Sequence, residues 1–310
     1  MALPQNIPVA VLLQTVGSFF FAYAAYLQDR VVVAEISESP NKAKLNWTAL
    51  WESIKTPRWQ LGLLLMGASL VCQVLALSFA PVSIVQPVGV LAFPWSMIIQ
   101  SRKHRQPIPP AARLAVVATV LAIGGFIVVG GVNAAPEAAL SQQGVIVGAL
   151  VVYAVAAGLG FLGSRGAPQW RSLFWASGGA VFYGLEASLV KSLMEFAKQS
   201  DWMHAPAFWL ALIALIIGSA TAGWMVQHGY ATGPAELVVA SMTITSPLVA
   251  VIWGIAVLGE GAHLDPISAT LMIMLGAAAI AGVIRLTTVH PHFDEDIVVA
   301  RATGPTKESA

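Results

Sequence analysis

Ala80-Pro81-Val82-Ser83-Ile84-Val85-Gln86-Pro87 decides the fold of this 310-residue chain. It joins two apolar runs, Trp59 to Phe79 and Val82 to Gln100, each about twenty residues long and so able to cross a bilayer. Almost nothing separates them, so they form a tight helical hairpin. A second joint, Gly233-Pro234-Ala235-Glu236-Leu237-Val238-Val239-Ala240, lies 153 residues on. Pro81 matches Pro234 and Pro94 matches Pro247, with the same spacing of thirteen, and Ile84-Val85 matches Leu237-Val238. Gln73 stands eight residues before Pro81 and Gln227 seven before Pro234, so one gap is needed upstream. The chain contains an internal repeat.

Composition sets the solvent. The chain is 57% hydrophobic and 10% charged, against about 25% charged in soluble domains. It reads as an all-α polytopic membrane protein. The single cysteine, Cys72, lies in an apolar run, which excludes a disulfide framework or a cysteine metal site. No Lys or Arg precedes the first apolar run, so the basic start of a signal peptide is missing and a retained helix is expected.

Nine segments fit spanning helices: 7–28, 59–79, 82–100, 112–132, 144–163, 172–194, 207–228, 235–258 and 266–285. With the N-terminus outside, fourteen of the sixteen basic residues fall in inside loops or the tail, and only Lys191 and Lys198 are left outside. The positive-inside rule then favours N-out, C-in and an odd helix count. Residues 1–286 form the transmembrane domain, with halves at about 7–132 and 144–286, and 287–310 form a polar cytoplasmic tail. The cell membrane is the expected location. In the longest loop, Trp47, Leu50, Trp51 and Ile54 follow Asn46 at helical spacing, which fits an interfacial helix or one packed on the protein. His290, His292, Asp294, Glu295 and Asp296 read as a solvated tail rather than a metal site.

The repeated hairpins are offset by five helices, an odd number, so the copies cross the membrane in opposite directions. Such an inverted-topology repeat is the build of many secondary transporters. The first and sixth helices then pair, with Tyr23 and Tyr183 at comparable places, and so do the fourth and ninth. Pro94 cannot donate to the Val90 carbonyl, nor Pro247 to that of Thr243, so kinks with free carbonyls are expected there and beside Pro87. Such groups are tolerated where they face protein or a wet cavity.

Charges within the spans are few. Glu186 lies 14 residues into the sixth segment, about 21 Å by helical rise. A carboxyl at that depth is costly, which makes it a candidate proton or cation site or a hydrogen-bonded structural acid. Tyr183 stands one turn earlier on much the same face. Gln14, Gln73, Gln86 and Gln227 offer neutral hydrogen bonds to a solute or between helices. Glu236 suits the first turn of its helix, where an acid meets the dipole. Lys191, near an outer end, is expected to snorkel. The path residues are thus Glu186, Tyr183, Tyr23, Gln73, Gln86 and Gln227, with Pro87, Pro94 and Pro247 at kinks. No recurring histidine-carboxylate set and no Gly-rich phosphate loop point to an enzyme, a metal centre or a cofactor.

Pro57-Arg58-Trp59 and the run Gln73-Val74-Leu75-Ala76-Leu77-Ser78-Phe79-Ala80-Pro81-Val82-Ser83-Ile84-Val85-Gln86-Pro87-Val88-Gly89 resemble the drug/metabolite transporter superfamily. Within it they look most like the branch of NIPA-type magnesium transporters. Gly229 to Val238, then Pro247 and Leu258-Gly259-Glu260, resemble the second-half pattern. The resemblance spans about 7–285 and implies nine or ten helices in two inverted halves around a cavity, with substrates from small metabolites to cations. An organic solute, coupled to protons through Glu186, is the expected cargo. Magnesium is the alternative, and a non-transporting subunit binding lipid or a partner protein is a third. The expected partners are the bilayer and a small solute or cation, with a homodimer allowed and no nucleic acid.

Overall fold

A computed structural model describes residues 5–38, 55–104, 108–134, 140–199, 201–233 and 235–289. All regular structure among them is helical, in the order α1 (Ile7–Glu38), α2 (Pro57–Phe79), α3 (Val82–Gly89), α4 (Ala92–His104), α5 (Pro110–Val132), α6 (Gln142–Arg165), α7 (Pro168–Ala197), α8 (Pro206–Thr232), α9 (Ala235–Ala256) and α10 (Pro266–Val289), with a short 3₁₀ turn at Trp202–His204. Nine helices among the described residues are long and apolar enough to cross a membrane, α3 and α4 together making the third. This is the build of a multi-pass membrane protein. The surface agrees: Leu114 and Leu121 on α5 are 72% and 69% exposed, and Ile273 on α10 is 72% exposed. Water would penalise so much exposed apolar area, whereas lipid accepts it.

The helices start where backbone chemistry lets them. Pro57, Pro110, Pro168, Pro206 and Pro266 each open a helix, where a missing N–H costs nothing. Side chains cap the starts of α1, α6 and α10. Asn6 Oδ1 accepts from Val9 N, Ser141 Oγ from Gly144 N, and Asp265 Oδ1 from Ile267 N and Ser268 N. The first helix continues to Glu38, beyond the hydropathic end near residue 28. The loop tryptophans and Ile54, the histidine-bearing tail and the Glu236 side chain lie outside the described residues.

α7 is the central helix: 67% of its apolar window is buried, against 17–50% for the other spans. α8 lies along it, and glycines set the distance. A Cβ on Gly179 would stand 2.9 Å from the Ala222 carbonyl, and one on Gly184 would overlap the Ser246 carbonyl of α9. α1 packs chiefly on α2 and also on α3 and α4, α5 packs on α10, and α3 packs on α9.

Successive spans alternate in direction. One end of the bundle gathers the start of α1, the α2–α3 hinge, the end of α7 and the α9–α10 turn. There Asn6 N donates to Phe79 O at 2.8 Å, and Val82 N to Glu260 Oε1 at 2.7 Å. The far end holds the contacts of Met97 and Ala112 with Leu286, and of Ser172 Oγ with Gly229 O at 2.9 Å.

The third span departs from expectation. It breaks at Val90–Leu91, four residues before Pro94. The Val90 carbonyl is not free: it accepts from Phe93 N at 3.1 Å. A tight 3₁₀ turn re-forms the bond that Pro94 removes. Span eight keeps a continuous helix through Pro247.

Candidate functional site

A cavity of about 560 Å³, open to the surface of the bundle along Leu248 and Ile273, lies between the third and eighth spans on one side and the fourth and ninth on the other. Pro87 and Val90 contribute from the broken span, and Thr243, Pro247 and Leu248 from α9. Phe126 of α5 and Met272 and Gly276 of α10 close the opposite wall. Of the matched prolines Pro247 lines the space and Pro94 does not; the first hairpin reaches it through Pro87 and Val90. No wall residue is acidic or basic, and the Thr243 hydroxyl is already turned to Val239 O at 2.8 Å. Such a space takes an apolar body and rejects a bare charge.

Glu186 lies elsewhere. It is half-buried on α7, with Ser219 of α8 near its carboxyl. Tyr183 stands close by, within electrostatic reach of Glu186 and of Tyr230 of α8. Glu186 and Tyr183 thus stand near each other on α7, and neither is in the cavity wall.

In the other half, Tyr23 stacks on Phe19 with ring centroids 6.2 Å apart, and Phe19 meets Trp95 edge-on at 5.5 Å. Gln86 and Gln14 are 8% and 6% exposed. Gln14 packs over bare Gly89, whose Cβ would stand 3.2 Å from its amide nitrogen. Gln14 Oε1, Gln86 Nε2 and Trp95 Nε1 have no hydrogen-bond partner among the described residues. Gln73 is half-buried on α2, and Gln227 is exposed on α8. Cys72 packs against Gly17 of α1.

Lys191 does not snorkel. It is 3% exposed, donates to Leu77 O at 2.8 Å and pairs with Glu195 at 3.0 Å. Close by, the two carboxyl oxygens of Glu260 accept from Val82 N at 2.7 Å and Ser83 N at 2.9 Å. Gly259, at φ 71°, turns the chain so that Glu260 faces back to α3. Sequence reasoning gave Glu260 no role, although Leu258-Gly259-Glu260 signalled a helix stop followed by an acid.

Among the described residues no three His, Cys, Asp or Glu side chains gather as metal ligands would. Compared with protein-family models, curated proteins and solved structures, the chain gives no significant match.

Proposed function

We propose that the chain is a secondary transporter of the drug/metabolite type, carrying a small organic solute across the cell membrane by alternating access between two inverted halves. The observation that carries this reading is the cavity at the meeting of the two proline-bearing spans and their neighbours α5 and α10. The packing supports the repeat. α1 on α2 answers α7 on α8, α1 on α3 and α4 answers α7 on α9, and α3 on α5 answers α9 on α10. Each pair recurs five spans later. The gathering of Arg102, Lys103, Arg113, Arg165 and Arg171 towards the end away from the first hinge supports N-out.

The cavity also speaks to cargo. Its volume of about 560 Å³ suits a solute of drug-like size with an uncharged, largely apolar body. Magnesium asks for oxygen ligands, often carboxylates, and the wall holds no carboxylate. Glu186 is the proton-coupling residue of this scheme, acting through α7, which packs on α9.

The test is flux into proteoliposomes of amphipathic and apolar solutes, beside magnesium, for the wild type and Gly276→Leu. The Gly276 Cβ position has room, with Phe126 3.9 Å away, so leucine fills space without displacing backbone. Organic flux that falls at least tenfold in the variant is expected. Magnesium flux alone moves the assignment to the cation class, and silence towards every solute moves it to a non-transporting subunit.

A further inference from the structure

The first hinge leaves backbone groups that the helices cannot pair themselves. The natural donor to the Leu77 carbonyl, four residues on, is Pro81, which has no N–H. Lys191 Nζ supplies the donor instead. On the other side of Pro81, Val82 and Ser83 are the first residues of α3, whose N–H groups lack helical acceptors. Glu260 supplies both acceptors. A cation therefore meets the carbonyl end of α2 and an acid meets the amide end of α3, which is the favourable order for both helix dipoles. Lys191 and Glu260 both belong to the second half of the chain, and the hinge they hold belongs to the first.

We propose that this two-sided grip is the latch that closes the hinge-bearing end of the bundle, and that Lys191 and Glu260 release the α2–α3 hinge when that end opens. The inference rests on the transporter reading. The two halves of an alternating-access transporter must part at one end and then the other; at this end the grip joins them by charged and polar side chains on a hinge, whereas at the far end Met97 and Ala112 meet Leu286 by apolar contact. A structural tie with no such role would be expected anywhere along the seam. Here it sits on a joint of two residues, Ala80 and Pro81, between helix ends that move apart if the hinge swings. Gly254 belongs to the same device, because a Cβ there would overlap Glu260 Oε2.

Spin labels on Ser78→Cys and Gln199→Cys, in a Cys72→Ala background, report the separation of the halves at this end. The double variant Lys191→Met, Glu260→Gln is expected to add a population several ångströms longer, and an unchanged distribution in folded variant overturns the latch. Should that variant fail to fold, hydrogen exchange on the wild type decides. Amides at 82–85 should exchange through openings that leave the α7 core at 181–189 protected. Joint exchange of both segments, by global unfolding only, overturns the proposal. A hinge that opens in a chain with no solute flux keeps the latch and removes the transport reading. Flux through a hinge that never opens does the reverse.

Discussion

Glu260 reaches the start of α3 by passing over the bare Cα of Gly254, six residues back along the chain, with Glu260 N also donating to Gly254 O at 2.9 Å. A methyl group at 254 occupies the space of the carboxyl. Gly254→Ala should therefore expel Glu260 from Val82 and Ser83 and cost about 1–3 kcal/mol, the usual range for overpacking. Unfolding in graded denaturing detergent measures it. A loss well below that range would show that the acid can reach α3 by another route.

Lys191 is the second point of this contact. Lys191→Met keeps much of the stem's volume but strands the Leu77 carbonyl and leaves Glu195, among the described residues, with Lys198 at 2.9 Å as its cation. Removing one member of a buried pair costs about 3–5 kcal/mol. Lys198→Met, at an exposed partner, should cost under about 1 kcal/mol. The ratio of the two losses is the measurement, and equal losses would place Lys191 in an environment as wet as Lys198's.

The pH dependence follows from Glu260. Burial pushes its carboxyl above the usual carboxylate value, against the opposing pull of the Ser83 hydroxyl, the Ser83 and Val82 amides and the Lys191 charge. Between the ordinary value and the raised one, the folded chain holds a proton that the unfolded chain gives up. That stabilisation is full below the ordinary carboxylate value and is lost as pH rises through the raised one. The wild-type melting temperature should fall across that window, and the fall should be smaller in Glu260→Gln. An identical slope in both would assign the effect to another group.

Glu186→Gln keeps the length and shape of a half-buried side chain, so the variant should fold and melt within a few degrees of the wild type. Its solute flux should lose dependence on an imposed proton gradient. Gradient-driven flux at the wild-type rate would remove Glu186 from the coupling step.

Hydropathy made the nine spans legible because a bilayer imposes length and composition on each span separately. The hinge at Ala80–Pro81 was legible for the same local reason. The site was less so. Pro94 announced a distortion, but its position at Val90–Leu91 depends on which carbonyl captures the Phe93 amide, a matter of geometry. Lys191 was misplaced because its partner, the Leu77 carbonyl, lies 114 residues away. A lysine near a helix end looks lipid-facing until that neighbour is known. Glu260 sits 178 residues from Val82, and no local periodicity joins an acid in a loop to the far start of another helix. Glu186 and Tyr183 were legible together because one turn of one helix connects them. That they flank α7 and leave the cavity to apolar residues came only from packing.

The interruption of the third span has an electrical side. A continuous helix shows its dipole only at its two ends, whereas a helix cut in the middle shows an inner pair as well. At Val90–Leu91 that inner pair is cancelled, because the main chain stays bonded across the break: Leu91 N donates to Val88 O, Phe93 N to Val90 O and Trp95 N to Leu91 O. The span is cut in direction but not in its chain of hydrogen bonds, and no bare dipole end faces the wall beside it, which carries no charged side chain. A guest there would meet almost no local field, and its shape, more than its polarity, would decide how it lies.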